Sequence, residues 1–179
     1  MIIVQDTETG GGPGTLTPTF TGTDTGCIVG VVTVGGGTAV TATCNGIDMT
    51  LAKESHFANT NVYVYYLAGV ATGNKNVIMS NAVGWSSSLW KAYAVSGMRN
   101  NPAEAISGTA DGAYSLTFTK ADPLGIIVSA EYNVTTGLAV NVVAIAITPN
   151  YSINFPSSAN NDVAVSFGAM PPMGIMTFT

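Results

Sequence analysis

The chain has a single histidine, His56, and its neighbours Lys53, Glu54 and Ser55 are residue types that a hydrolase site uses. Such a site needs a hydroxyl nucleophile, a histidine to take its proton, a carboxylate to orient the ring and an oxyanion pocket. The sequence contains no Gly-x-Ser-x-Gly elbow. Residues 53–61 are polar and lie between predicted strands, so they read as an exposed loop. His56 then reads as a loop residue rather than a base. The expectation is no catalytic residue and no enzyme.

Two cysteines, Cys27 and Cys44, do not have the spacing of a zinc site, and no metal or other cofactor is expected. A two-residue turn at Gly35-Gly36 would set Cys27 opposite Cys44 and permit a cross-strand disulfide. A three-residue loop through Gly37 would slip the register by one and send the thiols to opposite faces. Free buried thiols are the default, because cysteine packs as a small hydrophobe. The ten carboxylates (Asp6, Glu8, Asp24, Asp48, Glu54, Glu104, Asp111, Asp122, Glu131 and Asp162) are too sparse for a calcium loop. A glycosidase pair would require distant acids to meet in space. The run Gly10-Gly11-Gly12-Pro13-Gly14 lacks the Gly-Lys-Ser/Thr of a phosphate loop.

Aromatic residues are the more promising binding groups. Tyr63, Tyr65, Tyr66, Trp85, Trp90 and Tyr93 lie close together in sequence. Sugars stack on exposed aromatic faces, and protein interfaces favour Tyr and Trp. Trp85, between Gly84 and three serines, reads as a loop residue. Trp85, Trp90 and Tyr93 are therefore the candidate ligand contacts, with Trp85 placed first. The competing reading is core, since alternation along 62–66 forces one set of side chains inward.

Charge restricts the partners. Charged residues are 8% of the 179 and hydrophobic residues 46%, with a formal net charge of −5. Typical globular chains carry about 25% charged residues. The surface must then be built from Thr, Ser, Asn and Gly, which suits a particle, a fibre or an extracellular setting. The five cations, Lys53, Lys75, Lys91, Arg99 and Lys120, form no cluster. Nucleic acid and anionic membranes are therefore not expected partners. Residues 1–6 do not look like a secretory signal. The longest apolar run, 138–147, is too short to span a bilayer as a helix, so membrane insertion is not expected.

The elements that position these residues are strands. Runs rich in Val, Ile, Tyr, Phe and Thr are broken by Gly, Asn, Pro and Ser clusters. Strands are predicted near 27–34, 38–44, 47–51, 61–68, 75–80, 88–96, 113–119, 124–131, 138–147, 162–168 and 173–178. The sole helix candidate, 102–106, is one turn at most. Asn45-Gly46 suits a type I′ hairpin, because both residues tolerate positive φ. Thr72-Gly73 marks another turn. Residues 7–26, dominated by Thr, Gly and Pro, read as an arm or a loose edge strand. The segment Met170 to Thr179 alternates into a closing strand after Pro171 and Pro172. Its Ile175 and Phe178 need cover from within the chain or from another subunit.

The expected organisation is an N-terminal arm, 1–26, followed by one domain, 27–179. The expected class is all-β: an antiparallel two-sheet β-sandwich, jelly-roll-like. The stretches 40–51, 62–80 and 92–98 carry Asn45-Gly46, Met49-Thr50, Tyr66-Leu67, Thr72-Gly73 and Ser96-Gly97. In these positions the chain resembles β-sandwich modules, jelly-roll or concanavalin-like, of bacteriophage virion proteins and bacterial surface proteins. Val70-Ala71 departs from that pattern, which commonly has Pro before Thr-Gly. The resemblance implies a virion decoration, fibre or spike-like module on the virion surface, a homo-oligomer contacting other virion or surface proteins. The alternative is a carbohydrate-binding or adhesive module for a cell-surface glycan, extracellular or on a cell surface. The resemblance carries over no catalytic residue.

Overall fold

The computed structural model describes residues 3–11, 19–20, 26–35, 39–81, 84–110, 114–119, 126–133, 137–144, 150–155 and 160–169. Fifteen strands run through them: β1 (Ile3–Gly11), β2 (Thr19–Phe20), β3 (Gly26–Val34), β4 (Val40–Cys44), β5 (Ile47–Asp48), β6 (Thr50–Phe57), β7 (Thr60–Ala68), β8 (Lys75–Asn81), β9 (Ser87–Ser96), β10 (Met98–Ala110), β11 (Tyr114–Phe118), β12 (Ile126–Asn133), β13 (Gly137–Ala144), β14 (Tyr151–Phe155) and β15 (Asn160–Ala169). The strand pairings are antiparallel. The fold is all-β and sandwich-like, as the strand pattern indicates.

The layering goes beyond one pair of sheets. A five-stranded sheet of order β1-β9-β3-β7-β6 lies at the centre. One of its faces supplies Cys27, Val29, Val31, Tyr63, Tyr65 and Trp90 to a core shared with Val40, Ala42, Val77 and Met79 of the β2-β8-β4-β5 sheet. Its other face supplies Ile28, Val32, Val62, Val64, Tyr66 and Tyr93 to a second core. That core is shared with Val140, Val163, Val165 and Phe167 of the β10-β15-β12-β13 sheet. A third cluster packs Leu116 and Phe118 of the β11-β14 pair on Ala164, on the far side of β15. The cause is legible in the sequence of β3: CIVGVVTV is apolar on both faces, and a strand of that kind needs a layer above and below it.

Both edges of the central sheet are irregular. β1 is bulged between Val4 and Asp6, and β6 between Leu51 and Lys53. The outer edge strand β10 shifts register on either side of Pro102, a position where a missing N–H does least harm. Residues 102–106 are thus strand, not a helical turn, because the bulges absorb the proline. Residues 3–11, within the expected arm, form an edge strand paired with β9. The expected strand 173–178 lies outside the described residues.

Candidate functional site

Asn45-Gly46 forms the expected tight hairpin. Thr43 faces Asp48 and Cys44 faces Ile47, while φ is 52° at Asn45 and 77° at Gly46. Asn45 also clamps the next turn. Its Nδ2 donates to the Asn74 carbonyl at 3.1 Å, and the Asn76 N–H donates to its Oδ1 at 2.7 Å. Thr72-Gly73, with φ 97° at Gly73, carries the chain from β7 in the central sheet to β8 in the outer one.

Beside the hairpin lies a groove of about 300 Å³, lined by Val40, Thr41, Asp48, Met49, Leu51 and Tyr65 among others. Tyr65 belongs to its floor, and its hydroxyl donates to the Val40 carbonyl at 2.6 Å. Burial, with Glu54 as a lesser cause, holds the Tyr65 phenol well above its usual pKa. Two large apolar side chains are exposed here: Leu51 (39%) lines the groove, and Ile47 (54%) sits one residue from its wall at Asp48. The groove was not expected from sequence. Its signal was the apolar residue at each end of the short Ile47-Asp48-Met49-Thr50-Leu51 run, but β5 ends at Asp48 and β6 begins at Thr50 in another sheet.

The aromatic candidates lie inside. Trp85 is 6% exposed, Trp90 6% and Tyr93 1%. Trp85 and Trp90 belong to one core and Tyr93 to the other. This corrects the expectation of Trp85 as a surface contact. The loop after Gly84 is pinned to β3, because Ser86 N–H and Oγ both donate to the Val34 carbonyl at 2.8 and 2.7 Å. The pinned loop places Trp85 in the core instead of projecting it into solvent.

Residues 53–61 are not a loop but most of β6 and the hairpin into β7, a second correction. Leu51, Lys53 and Glu54 each face a β7 residue, so the strand ladder captures this polar segment. His56 Nδ1 lies 2.9 Å from Asn61 Oδ1, and Nε2 lies 3.4 Å from Glu54 Oε2. The ring packs edge-on against Tyr63 at 5.6 Å between centroids. Histidine, carboxylate and amide are gathered here, yet Ser55 points to the opposite face of the strand, by alternation. The cluster ties down an edge strand and presents no aligned hydroxyl.

The cysteines are unbridged and buried. The postulated hairpin between them does not form. β3 pairs with β7 and β9, so Cys27 faces Leu67 and Ala94, while Cys44 faces Ile47 and Val77. β3 and β4 lie in different sheets, which removes the disulfide register.

Carboxylates are put to other uses. The Thr119 N–H and Oγ1 donate to the two oxygens of Glu104 at 2.7 and 2.9 Å. Glu131 and Asp162, 31 positions apart, stand directly opposite in the β12–β15 pair, a juxtaposition invisible to sequence spacing. No group of three or more His, Cys, Asp or Glu side chains fit to hold a metal occurs among the described residues. The chain matches no protein-family model and no curated protein.

Proposed function

We propose that this chain is a structural module of an assembled surface, acting as a homo-oligomeric decoration, fibre or spike-like component of a bacteriophage virion. The observation that supports this best is the exposure of two large apolar side chains, Leu51 in the groove beside the β4–β5 hairpin and Ile47 next to its lining residue Asp48. An apolar patch on a surface otherwise furnished by Thr, Ser and Asn is a protein-contact surface. The stacked sheets give that patch a stiff support. The resemblance of residues 40–98 to virion and bacterial surface sandwiches points the same way. Mass spectrometry of purified particles from the host that carries this chain is the test. Recovery in stoichiometric amounts is expected. Particles lacking the chain, together with a strictly monomeric protein by light scattering, would overturn the proposal.

A second reading is glycan capture by an adhesive module, and one observation favours it. Tyr65, Asp48 and Thr41 line the same groove, giving an aromatic floor with polar groups beside it. A glycan array probed with the full chain tests this. Binding that disappears in Asp48→Asn supports capture, and an array without binding excludes it.

A further inference from the structure

His56 is the only histidine of the chain, and its ring is held in one tautomer. Nδ1 lies 2.9 Å from Asn61 Oδ1, an atom that can only accept. The far end of the same amide sets its orientation, because the buried Asn61 Nδ2 donates to Thr33 Oγ1 at 3.4 Å. Nδ1 therefore carries a hydrogen, and the neutral ring keeps its lone pair on Nε2. Tyr63 fixes the plane of the ring, edge-on at 65°.

That lone pair faces a carboxylate. Glu54 Oε2 lies 3.4 Å from His56 Nε2. Two acceptors so placed call for a positive centre between them. A proton would draw a charge-assisted hydrogen bond in to about 2.7–2.9 Å. Zinc would hold the two atoms further apart. It takes imidazole nitrogen at about 2.0–2.1 Å and carboxylate oxygen at about 2.0–2.2 Å. At the tetrahedral angle two such ligands stand about 3.4 Å apart.

We propose that Glu54 Oε2 and His56 Nε2 form a two-ligand site for zinc, with Asn61 as the partner that orients the ring. The site does not depend on the assembly reading above. β6 supplies the spacing, since residues two apart on a strand share a face. The ladder sets Glu54 opposite Tyr63 and His56 opposite Asn61. β6 is an edge strand of the central sheet, and the His56 and Glu54 side chains are 34% and 44% exposed. An ion can therefore enter from solvent, with water filling its remaining positions. Lys53 alternates to the other face, so its ammonium does not compete for Glu54. A metal-bound histidine gives its other ring N–H to an oxygen acceptor, which fixes the ring and raises its basicity. The Asn61 amide oxygen occupies that place here. Imidazole favours zinc over magnesium and calcium, which prefer oxygen ligands.

The single histidine makes the test direct. Its two ring nitrogens can be read in isolation by proton–nitrogen correlation of the labelled full chain. Nδ1 is expected to carry its hydrogen before and after zinc chloride is added, while the Nε2 resonance shifts. Calorimetric titration in excess magnesium is expected to give one zinc per chain. Glu54→Gln and His56→Gln should each weaken zinc by at least about tenfold, since even an orienting partner is worth about 10–100-fold in metal affinity. Both side chains are partly exposed, so the fold should survive either change. Zinc should also raise the unfolding midpoint of the wild type more than that of either variant. Four results would each overturn the proposal: no zinc uptake by the wild type, equal affinity in the wild type and either variant, zinc on Nδ1, or a ring that stays doubly protonated at saturating zinc.

Discussion

Tyr65 and Val40 join two layers of the stack: the tyrosine hydroxyl of β7 donates to the carbonyl of Val40 in β4 at 2.6 Å, and both residues are buried. A second bond joins the opposite pair of layers. Asn161 of β15 directs its Nδ2 at the Ser55 and Thr60 carbonyls at 3.1 and 3.0 Å. Non-directional apolar packing leaves the sliding of one sheet over another weakly specified. Buried polar bonds of this kind fix the offset, because breaking them strands a buried donor or acceptor.

Replacing Tyr65 by Phe keeps the ring and removes the donor. The Val40 carbonyl then loses its buried partner, at a cost of about 1–3 kcal/mol. Urea unfolding of the two proteins measures it, with a lower midpoint and an unchanged slope expected for the variant.

Asn45 serves the hairpin twice, through positive φ and through its side-chain bonds to Asn74 and Asn76. Asn45→Gly keeps only the first role and Asn45→Ala neither. Thermal unfolding is expected to order them wild type, then Gly, then Ala, with Ala losing about 2 kcal/mol or more. Equal losses in the two variants would show that the side-chain clamp dominates over backbone conformation.

Three buried tyrosines set an alkaline limit. Burial pushes the Tyr93 phenol up to about 12. Burial first, then Tyr65 and Glu54, holds Tyr63 higher still, and Tyr65 is raised in the same way. An unfolded tyrosine ionises near pH 10. The folded pKa values are raised, so their contribution is complete below about pH 10. It is lost as pH climbs from there through the folded values, at up to about 1.4 kcal/mol per pH unit for each tyrosine. Denaturant midpoints between pH 8 and 12 are expected to hold level and then fall. Tyrosinate absorbance should rise late and together with unfolding.

Cys27 and Cys44 are buried thiols without a bridge. In the native protein neither is expected to react with a thiol reagent on the timescale of minutes. Both should react in denaturant, with no prior reduction. Stability should be the same with and without reductant.

Much of the fold was legible in the sequence, and the reasons separate by element. β3, β7 and β9 announced themselves through β-branched and aromatic runs, and Asn45-Gly46 through its tolerance of positive φ. β10 did not, because Pro102 and the Ala103-Glu104-Ala105 run read as a helical turn until the bulges are seen. β6 was hidden because an edge strand carries polar residues, and Lys53, Glu54 and His56 looked like loop. The candidate site was harder to foresee. Sequence neighbours suggested that β3 and β4 form a hairpin, whereas they belong to different sheets. That single topological step decides the fate of both cysteines and creates the groove. Burial of Trp85 likewise depends on Ser86 meeting Val34, a contact across 52 positions.

Amide hydrogen exchange across the full chain tests the double-sided burial of the central sheet most directly. Residues 26–34, 60–68 and 87–96 lie between two cores and should exchange last, at the rate of global unfolding. The edge strand at 50–57 should open well before them. Exchange of 26–34 as fast as 50–57 would contradict a sheet packed on both faces.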